Sequence, residues 1–298
     1  MMSIFDNLQQ TFHKGNSLTK LIYINVFVFV LMNLLEIILK LFQIIPDSLF
    51  WIYFEVPADL SQLLHHFWTP LTYMFLHEGF THIFFNMISL FWFGKIFLLY
   101  FTEKQLVGLY FIGGIIAAFF YIAAYNIFPF YSPVLHQSLL LGASGSIMAI
   151  IIATAFQSPN MELQLLFLGS VKLKYIAVVA VLTSFFGITS NNGGGQLAHL
   201  GGALAGYLFY VSLRQGTDLT QGVNQVLDAI YDLFYPRKLQ VKPNTSHRKA
   251  PMSDADFNVN KASKMAEIDK ILDKIKTSGY ESLSTEEKKR LFEQGNKN

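Results

Sequence analysis

Ser144 stands between glycines in Leu141-Gly142-Ala143-Ser144-Gly145-Ser146-Ile147-Met148, where an apolar run begins. Further along, His199 stands in Gln196-Leu197-Ala198-His199-Leu200-Gly201-Gly202, again at the start of an apolar run. A serine hydroxyl is a poor nucleophile near neutral pH and needs an adjacent base. The two residues read as a nucleophile and its base. Acyl chemistry at such a pair also needs hydrogen-bond donors for the developing oxyanion. The Ser144 backbone amide, at a helix start, is one. His82 and Asn86 are i and i+4 and share one face of a predicted helix, which supplies two more. An i,i+4 His–Asn pair can equally be a structural hydrogen bond between helices. Histidines can also bind metal, but a site needs at least three good ligands. No third ligand has the spacing, so neither metal nor cofactor is expected.

The elements that must position these residues are apolar. Of 298 residues 52% are hydrophobic and only 14% charged, against about 25% in soluble domains. Residues 1–236 hold 8 basic and 11 acidic residues, whereas 237–298 hold 14 and 9. This is a membrane body with a soluble tail. A net charge of +2 suggests no nucleic-acid partner, and the absence of cysteine excludes thiolate chemistry and disulfides. The first apolar run has no cleavage site after it and reads as a retained span, not a signal peptide. About twenty apolar residues cross a bilayer as a helix. Six candidates follow, at Leu21–Phe42, Thr81–Tyr100, Gln105–Ile127, Gly142–Phe156, Tyr175–Thr189 and Ala198–Leu213. The last three are short, which suits a bundle interior. Asn25, Asn33 and Glu36 turn one face of the first inward. The expected fold is all-α, a polytopic six-transmembrane-helix bundle.

Loop charges orient it. Lys14, Lys20, Lys104, Lys172, Lys174, Arg214, Arg237 and Lys238 fall on one side, while segments 44–80, 128–141 and 190–197 have no lysine or arginine. Both termini are therefore expected in the cytoplasm. Lys40 dissents and can snorkel. Ser144, His199, His82 and Asn86 then all sit near the outer ends of inward-running helices. Ala198, Gly202 and Gly206 form a small-residue face on the last span, and Gly145 with Ala149 a matching one. Such glycines are also ordinary helix packing, but here that packing would bring serine to histidine. The customary third member of a triad is missing. From 104 to 217 the only carboxylate is Glu162, in a cytoplasmic loop, and no pattern ties Glu36 or Glu78 to His199. The pair reads as a dyad, whose imidazole is oriented by something other than a carboxylate. No strand is expected before Ser144, so this is not the Gly-x-Ser-x-Gly elbow of soluble α/β-hydrolases.

The domain plan has a cytoplasmic N-terminus (1–20), a six-helix core (21–214), an amphipathic helix on the inner membrane surface (215–236), a linker (237–256) and a small cytoplasmic helical hairpin (257–298). Val223, Val226, Leu227, Ile230 and Phe234 mark the apolar face of the surface helix. Ser284 and Glu287 form a capping box in the hairpin. The aromatic loop over 44–80 is expected to be partly folded at the outer interface.

Gly142-Ala143-Ser144-Gly145, Ala198-His199-Leu200-Gly201-Gly202, His82-x-x-x-Asn86 and Trp68-Thr-Pro-Leu-Thr-Tyr-Met-Phe-Leu-His77 together resemble the rhomboid family of intramembrane serine proteases, over roughly residues 15–215. The resemblance implies Ser144 as nucleophile and His199 as base, with His82, Asn86 and the Ser144 amide at the oxyanion. It implies single-span membrane-protein substrates cut near the outer face of the lipid bilayer, and a multi-pass protein of a bacterial plasma membrane. The alternative is a non-catalytic relative that binds membrane segments for quality control; such proteins usually lack the nucleophile or the base. Two positions depart from the family. Met148 replaces an aromatic that stacks on the histidine, and no Trp-Arg pair occurs in the first loop. The hairpin lies outside the resemblance. If it recruits a cytoplasmic partner or substrate domain, deleting 257–298 should change substrate choice while cleavage of a generic single-span substrate is unchanged, as read by fragment analysis.

Overall fold

A computed structural model describes residues 15–44, 51, 53–165, 169–234 and 254–295. The expected cytoplasmic segment before residue 15 and most of the linker lie outside these. The chain divides into two units, Met1–Pro236 and Arg237–Asn298.

The first unit is built on six apolar helices. These are α1 (Ser17–Leu41), α2 and α3 being short loop helices at Leu60–His65 and Thr69–Thr72, then α4 (Gly79–Phe97), α5 (Glu103–Ile127), α6 (Ser144–Gln157), α7 (Leu173–Phe186) and α8 (Gly193–Arg214). Asn16 caps α1, its side chain accepting from the Thr19 amide. Thr102 and Gln105 form a reciprocal capping box on α5. Among the described residues, three helices are long and apolar enough to cross a membrane: α1, α4 and α5. The difference from the expected six is one of length and composition. α6 and α7 have 14 residues each, about 21 Å of helix, short of a ~30 Å hydrocarbon core. α8 has 22 residues but opens with three glycines and carries Gln196 and His199.

Small residues let α5, α6 and α8 approach backbone to backbone. A Cβ on Gly202 would lie 2.1 Å from the Gly145 carbonyl oxygen, and one on Gly206 2.3 Å from that of Ala149. On the other side, Gly113 of α5 leaves only 2.6 Å to the Ala149 methyl, and a Cβ on Gly201 would meet the Ala117 α-carbon at 2.9 Å. α6 has ten buried residues and forms the centre. α1 is peripheral, with only Leu18, Leu21, Asn25 and Met32 buried. Its Asn25 is fully buried and bonded to the Tyr110 hydroxyl, which donates to the Met74 carbonyl. Glu36 pairs with Lys40 one turn away at 2.8 Å, so the dissenting lysine has a local carboxylate partner.

The expected all-α fold needs one amendment. The unit is mostly helical, but it carries two antiparallel ribbons. β1 (Val56–Pro57) pairs with β2 (Leu139–Leu140), and β3 (Glu162–Leu165) with β4 (Gly169–Lys172). β2 is a strand shortly before Ser144, where none was expected; two residues are too few to show a period of two. It ties the aromatic loop to the serine segment. The Asp59 carboxylate, which caps α2, reinforces this tie through His136. α9 (Gln221–Phe234) follows and leaves Val226, Ile230 and Leu233 exposed along its apolar side. Lys104 at the start of α5 pairs with its Asp228.

The second unit contains α10 (Asp254–Ser278) and α11 (Thr285–Gly295). Ile271 and Leu283 are buried, Lys274 pairs with Glu287, and Ser284 and Glu287 complete the capping box.

The glycine contacts on α8 generate a test. Gly202→Ala and Gly206→Ala each push a methyl into carbonyl oxygens of α6 and should destabilise the protein by about 1–3 kcal/mol. Gly222→Ala, in a helix with nothing within 4 Å of the new methyl, should be neutral or slightly stabilising. Thermal unfolding in detergent micelles reads both.

Candidate active site

A cavity of about 970 Å³ opens among the outer ends expected for α4, α6 and α8. Ser144, His199, His82 and Asn86 all line it, joined by Glu78, Tyr125, Gln137, Leu139, Asn191 and Asn192. Residues from three helices separated by up to 117 positions in sequence thus face one space.

Ser144 is the first residue of α6 and follows a tight turn. Gly142 there has φ of +121°, a conformation that only glycine adopts without strain. Its amide donates to the Tyr73 carbonyl at 3.0 Å, and the Tyr73 hydroxyl donates to the Gly114 carbonyl at 2.6 Å. The turn is therefore anchored to the segment just before α4 and, through it, to α5. The absence of a side chain at Gly142 also makes room for chemistry. A Cβ there would stand 3.0 Å from His82 Nε2 and 3.8 Å from Ser144 Oγ. The imidazole of His82 and the hydroxyl of Ser144 flank the same α-carbon.

The tautomer of His82 follows from its partner. The Glu78 amide donates to His82 Nδ1 at 3.3 Å. Nδ1 is then an acceptor, and in the neutral ring Nε2 carries the proton. His82 presents an N–H beside Ser144. Asn86 is buried, and its side-chain amide donates to the His82 carbonyl at 3.0 Å. An amide nitrogen has a second N–H, so one donor remains for the cavity that Asn86 lines. This bond lies within α4, so it is not the hydrogen bond between helices that the structural alternative foresaw. His77, also buried, packs edge-on against His82 with ring centroids 5.2 Å apart.

His199 does not open its helix as the sequence suggested. α8 begins at Gly193, so His199 lies in the second turn. The glycine run Gly193–Gly195 reads as loop by composition, but Gly193 closes on the Ile188 carbonyl, where a Cβ would stand at 2.3 Å. Packing extends the helix backwards. Gly202 and Gly206 seat α8 directly on α6, and His199 and Ser144 both line the cavity. Its Nδ1 lies 3.2 Å from the hydroxyl of Ser184, a buried residue of α7. Ser184 went unnoticed in the sequence, since one serine in an apolar helix carries no signal of its direction. Neither acid considered at this depth bonds His199 among the described residues. Glu36 is engaged with Lys40, and Glu78 meets His82 through its backbone. Met148 is packed with Ile96, Ile152, Leu173, Ala177 and Ala203.

One cavity thus holds a hydroxyl at a helix start, an imidazole with one nitrogen bonded to Ser184, and N–H donors. Nucleophilic acyl chemistry calls for groups of these types. Among the described residues no group of three or more histidines and carboxylates could hold a metal ion.

The sequence matches the Rhomboid domain over residues 64–216, and the chain belongs to the rhomboid family. It is 29% identical over 157 residues to "RHOMBOID-like protein 12, mitochondrial" of Arabidopsis thaliana, a match that covers 50% of this chain and 47% of the relative. The chain thus spans about half the length of that curated relative. Residues 253–297, within the second unit, match a family of unknown function (DUF6576).

A perturbed acid neighbours Glu78, which lines the cavity. Glu55, buried in the loop that carries β1, is pushed up from 4.5 to about 7 by burial and then by the neighbouring Glu78. A raised carboxyl pKa means that the folded state holds the proton more tightly. Its contribution to stability is full below pH 4.5 and is lost as pH rises through 7. Glu55→Gln should therefore raise the thermal midpoint relative to wild type at pH 8 and leave it nearly unchanged at pH 4. Paired melting curves in micelles test this.

Proposed function

We propose that this chain is an intramembrane serine endopeptidase acting through a Ser144–His199 dyad. The observation that carries this reading is the common cavity lined by Ser144, His199, His82 and Asn86. Family membership supports it. In the proposed reaction Ser144 Oγ attacks the scissile carbonyl carbon, and its proton passes to His199 Nε2. The carbonyl oxygen becomes an oxyanion that accepts from the Ser144 amide, His82 Nε2–H and Asn86. Collapse expels the amine, which takes the proton back from His199. Water, deprotonated by the same imidazole, then hydrolyses the acyl-enzyme.

The substrates would be single-span membrane proteins. A transmembrane helix hides its carbonyls in hydrogen bonds, so cleavage needs it to unwind, and the cavity, with Asn86, Gln137, Asn191 and Asn192 in its lining, offers polar groups to the freed backbone. We read six crossings. α6, α7 and α8 would span despite their length or polarity because they meet protein and water rather than lipid alone. The loop charges support a cytoplasmic location for both termini. The exposed apolar side of α9 suits the inner membrane surface. The second reading, a non-catalytic membrane-segment binder, is disfavoured because both nucleophile and base are retained.

Ser144→Ala and His199→Ala should each abolish cleavage of a reconstituted single-span substrate, with insertion unchanged. His82→Ala and Asn86→Ala should each lower kcat by roughly 100-fold. A fluorophosphonate should label wild type and not Ser144→Ala. Cleavage that persists in either dyad variant sinks the protease reading.

A further inference from the structure

A base that accepts the serine proton at Nε2 must carry its own proton at Nδ1 in the resting neutral ring. That N–H needs an acceptor on the far side of the ring. In the Ser–His–acid arrangement a carboxylate fills this place, but between residues 104 and 217 the only carboxylate is Glu162. It lies on β3 and accepts from the Ser170 hydroxyl. The group that does face Nδ1 is the hydroxyl of Ser184. We propose that Ser184 is the positioning residue of the site: its Oγ accepts the Nδ1–H of His199, selects the tautomer with Nε2 turned to Ser144, and fixes the ring plane. This rests on the reading of His199 as the base.

Three features carry the inference. The first is direction. The buried residues of α7 are Leu173, Ala177 and Ser184, whereas Tyr175, Val178, Val179, Leu182, Phe185 and Phe186 are exposed. Ser184 is 2% exposed and is the one polar residue on the inward side of this helix. The second is rigidity. Gly187 ends α7, its amide donating to the carbonyls of Thr183 and Ser184. The side chain of Gln196 sits against it, 2.9 Å from where a Cβ would be, and Gly193 closes on Ile188 from the other side. The turn between α7 and α8 is therefore packed, which holds the separation of Ser184 and His199. The third is cost. A hydroxyl orients an imidazole without burying a charge, whereas a carboxylate in this apolar setting would need a partner or would take up a proton. Ser184 gains and loses no proton in the reaction. It holds Nδ1–H while the Ser144 proton arrives at Nε2, and it keeps an acceptor on the imidazolium that results.

The test uses the full-length chain reconstituted with a fluorogenic single-span substrate. Ser184→Ala should lower kcat about 10-fold, the factor that corresponds to one neutral hydrogen bond, with KM within twofold. Fluorophosphonate labelling of Ser144, which needs no substrate binding, should slow by the same factor while the thermal midpoint stays close to wild type. Ser184→Thr retains the hydroxyl and should recover most of the rate. Ser184→Cys fills the site with a poor acceptor and should share the loss seen for alanine, even if alanine leaves a destabilising void. Unchanged kcat and labelling in the alanine or cysteine variant would overturn the proposal. So would a threonine variant as slow as alanine with a matching fall in melting temperature, since that marks a packing role only. His199→Ala run alongside separates the two ideas. If it still cleaves, the base assignment itself fails; if it is dead while Ser184→Cys is normal, only the role of Ser184 fails.

Discussion

The contact between the backbones of α8 and α6 is the constraint on which the rest depends. Gly202 meets the Gly145 carbonyl, and Gly206 that of Ala149, at distances no side chain could share. In an apolar solvent there is little hydrophobic drive between helices, so close van der Waals contact and complementary shape must hold them together. Here the same contact lies beside Ser144 and His199. Gly145 is the residue after Ser144, and Gly202 is one turn past His199. The separation of hydroxyl and imidazole is therefore fixed by helix packing and not by a flexible loop, which is what preorganisation requires.

Around this seam several polar groups find partners on other elements, while His77, Tyr121, Ser146 and Gln196 each keep a buried side-chain atom without a hydrogen-bond partner among the described residues. Tyr73 binds both the Ser144 turn and α5. Asn25 of the peripheral first helix reaches Tyr110 and, through it, Met74. His82 takes the Glu78 amide, and His199 faces Ser184. An unpaired polar group in a low-dielectric interior is costly, so these pairings fix tautomers and ring planes as well as helix positions. The loop that carries β1 is held to the segment before Ser144 by β1–β2 pairing and the Asp59–His136 contact. Gly142, whose positive φ only glycine adopts freely, lies where His82 and Ser144 both approach the backbone.

Much of the helical plan was legible in the residues. Hydropathy located all six apolar helices to within a few residues, except that α8 starts five residues before the expected boundary at Ala198. Three glycines argue against a helix by propensity, and only their packing against Ile188, Tyr121 and Asn192 reverses that. The small-residue faces on α6 and α8 could be read from spacing because a four-residue repeat maps to one side of a helix. The two ribbons could not: strands of two to four residues have no period to detect, and their pairing is made with distant or reversed segments.

Residue types and their intervals were enough to name the candidate groups. They gave a serine and a histidine in membrane-depth segments, donors at helical spacing, and a shortage of acids that left the imidazole without its customary partner. These are matters of residue type and interval. What only the tertiary structure decided was which groups face each other across elements. Ser184 is one serine on an apolar helix until α7 is docked, and then its hydroxyl meets His199 Nδ1. The Nε2–H of His82 is assigned only once the Glu78 amide is seen on the other nitrogen. Direction and partner are properties of packing, because a side chain's azimuth about its helix gains meaning only when a neighbour occupies it.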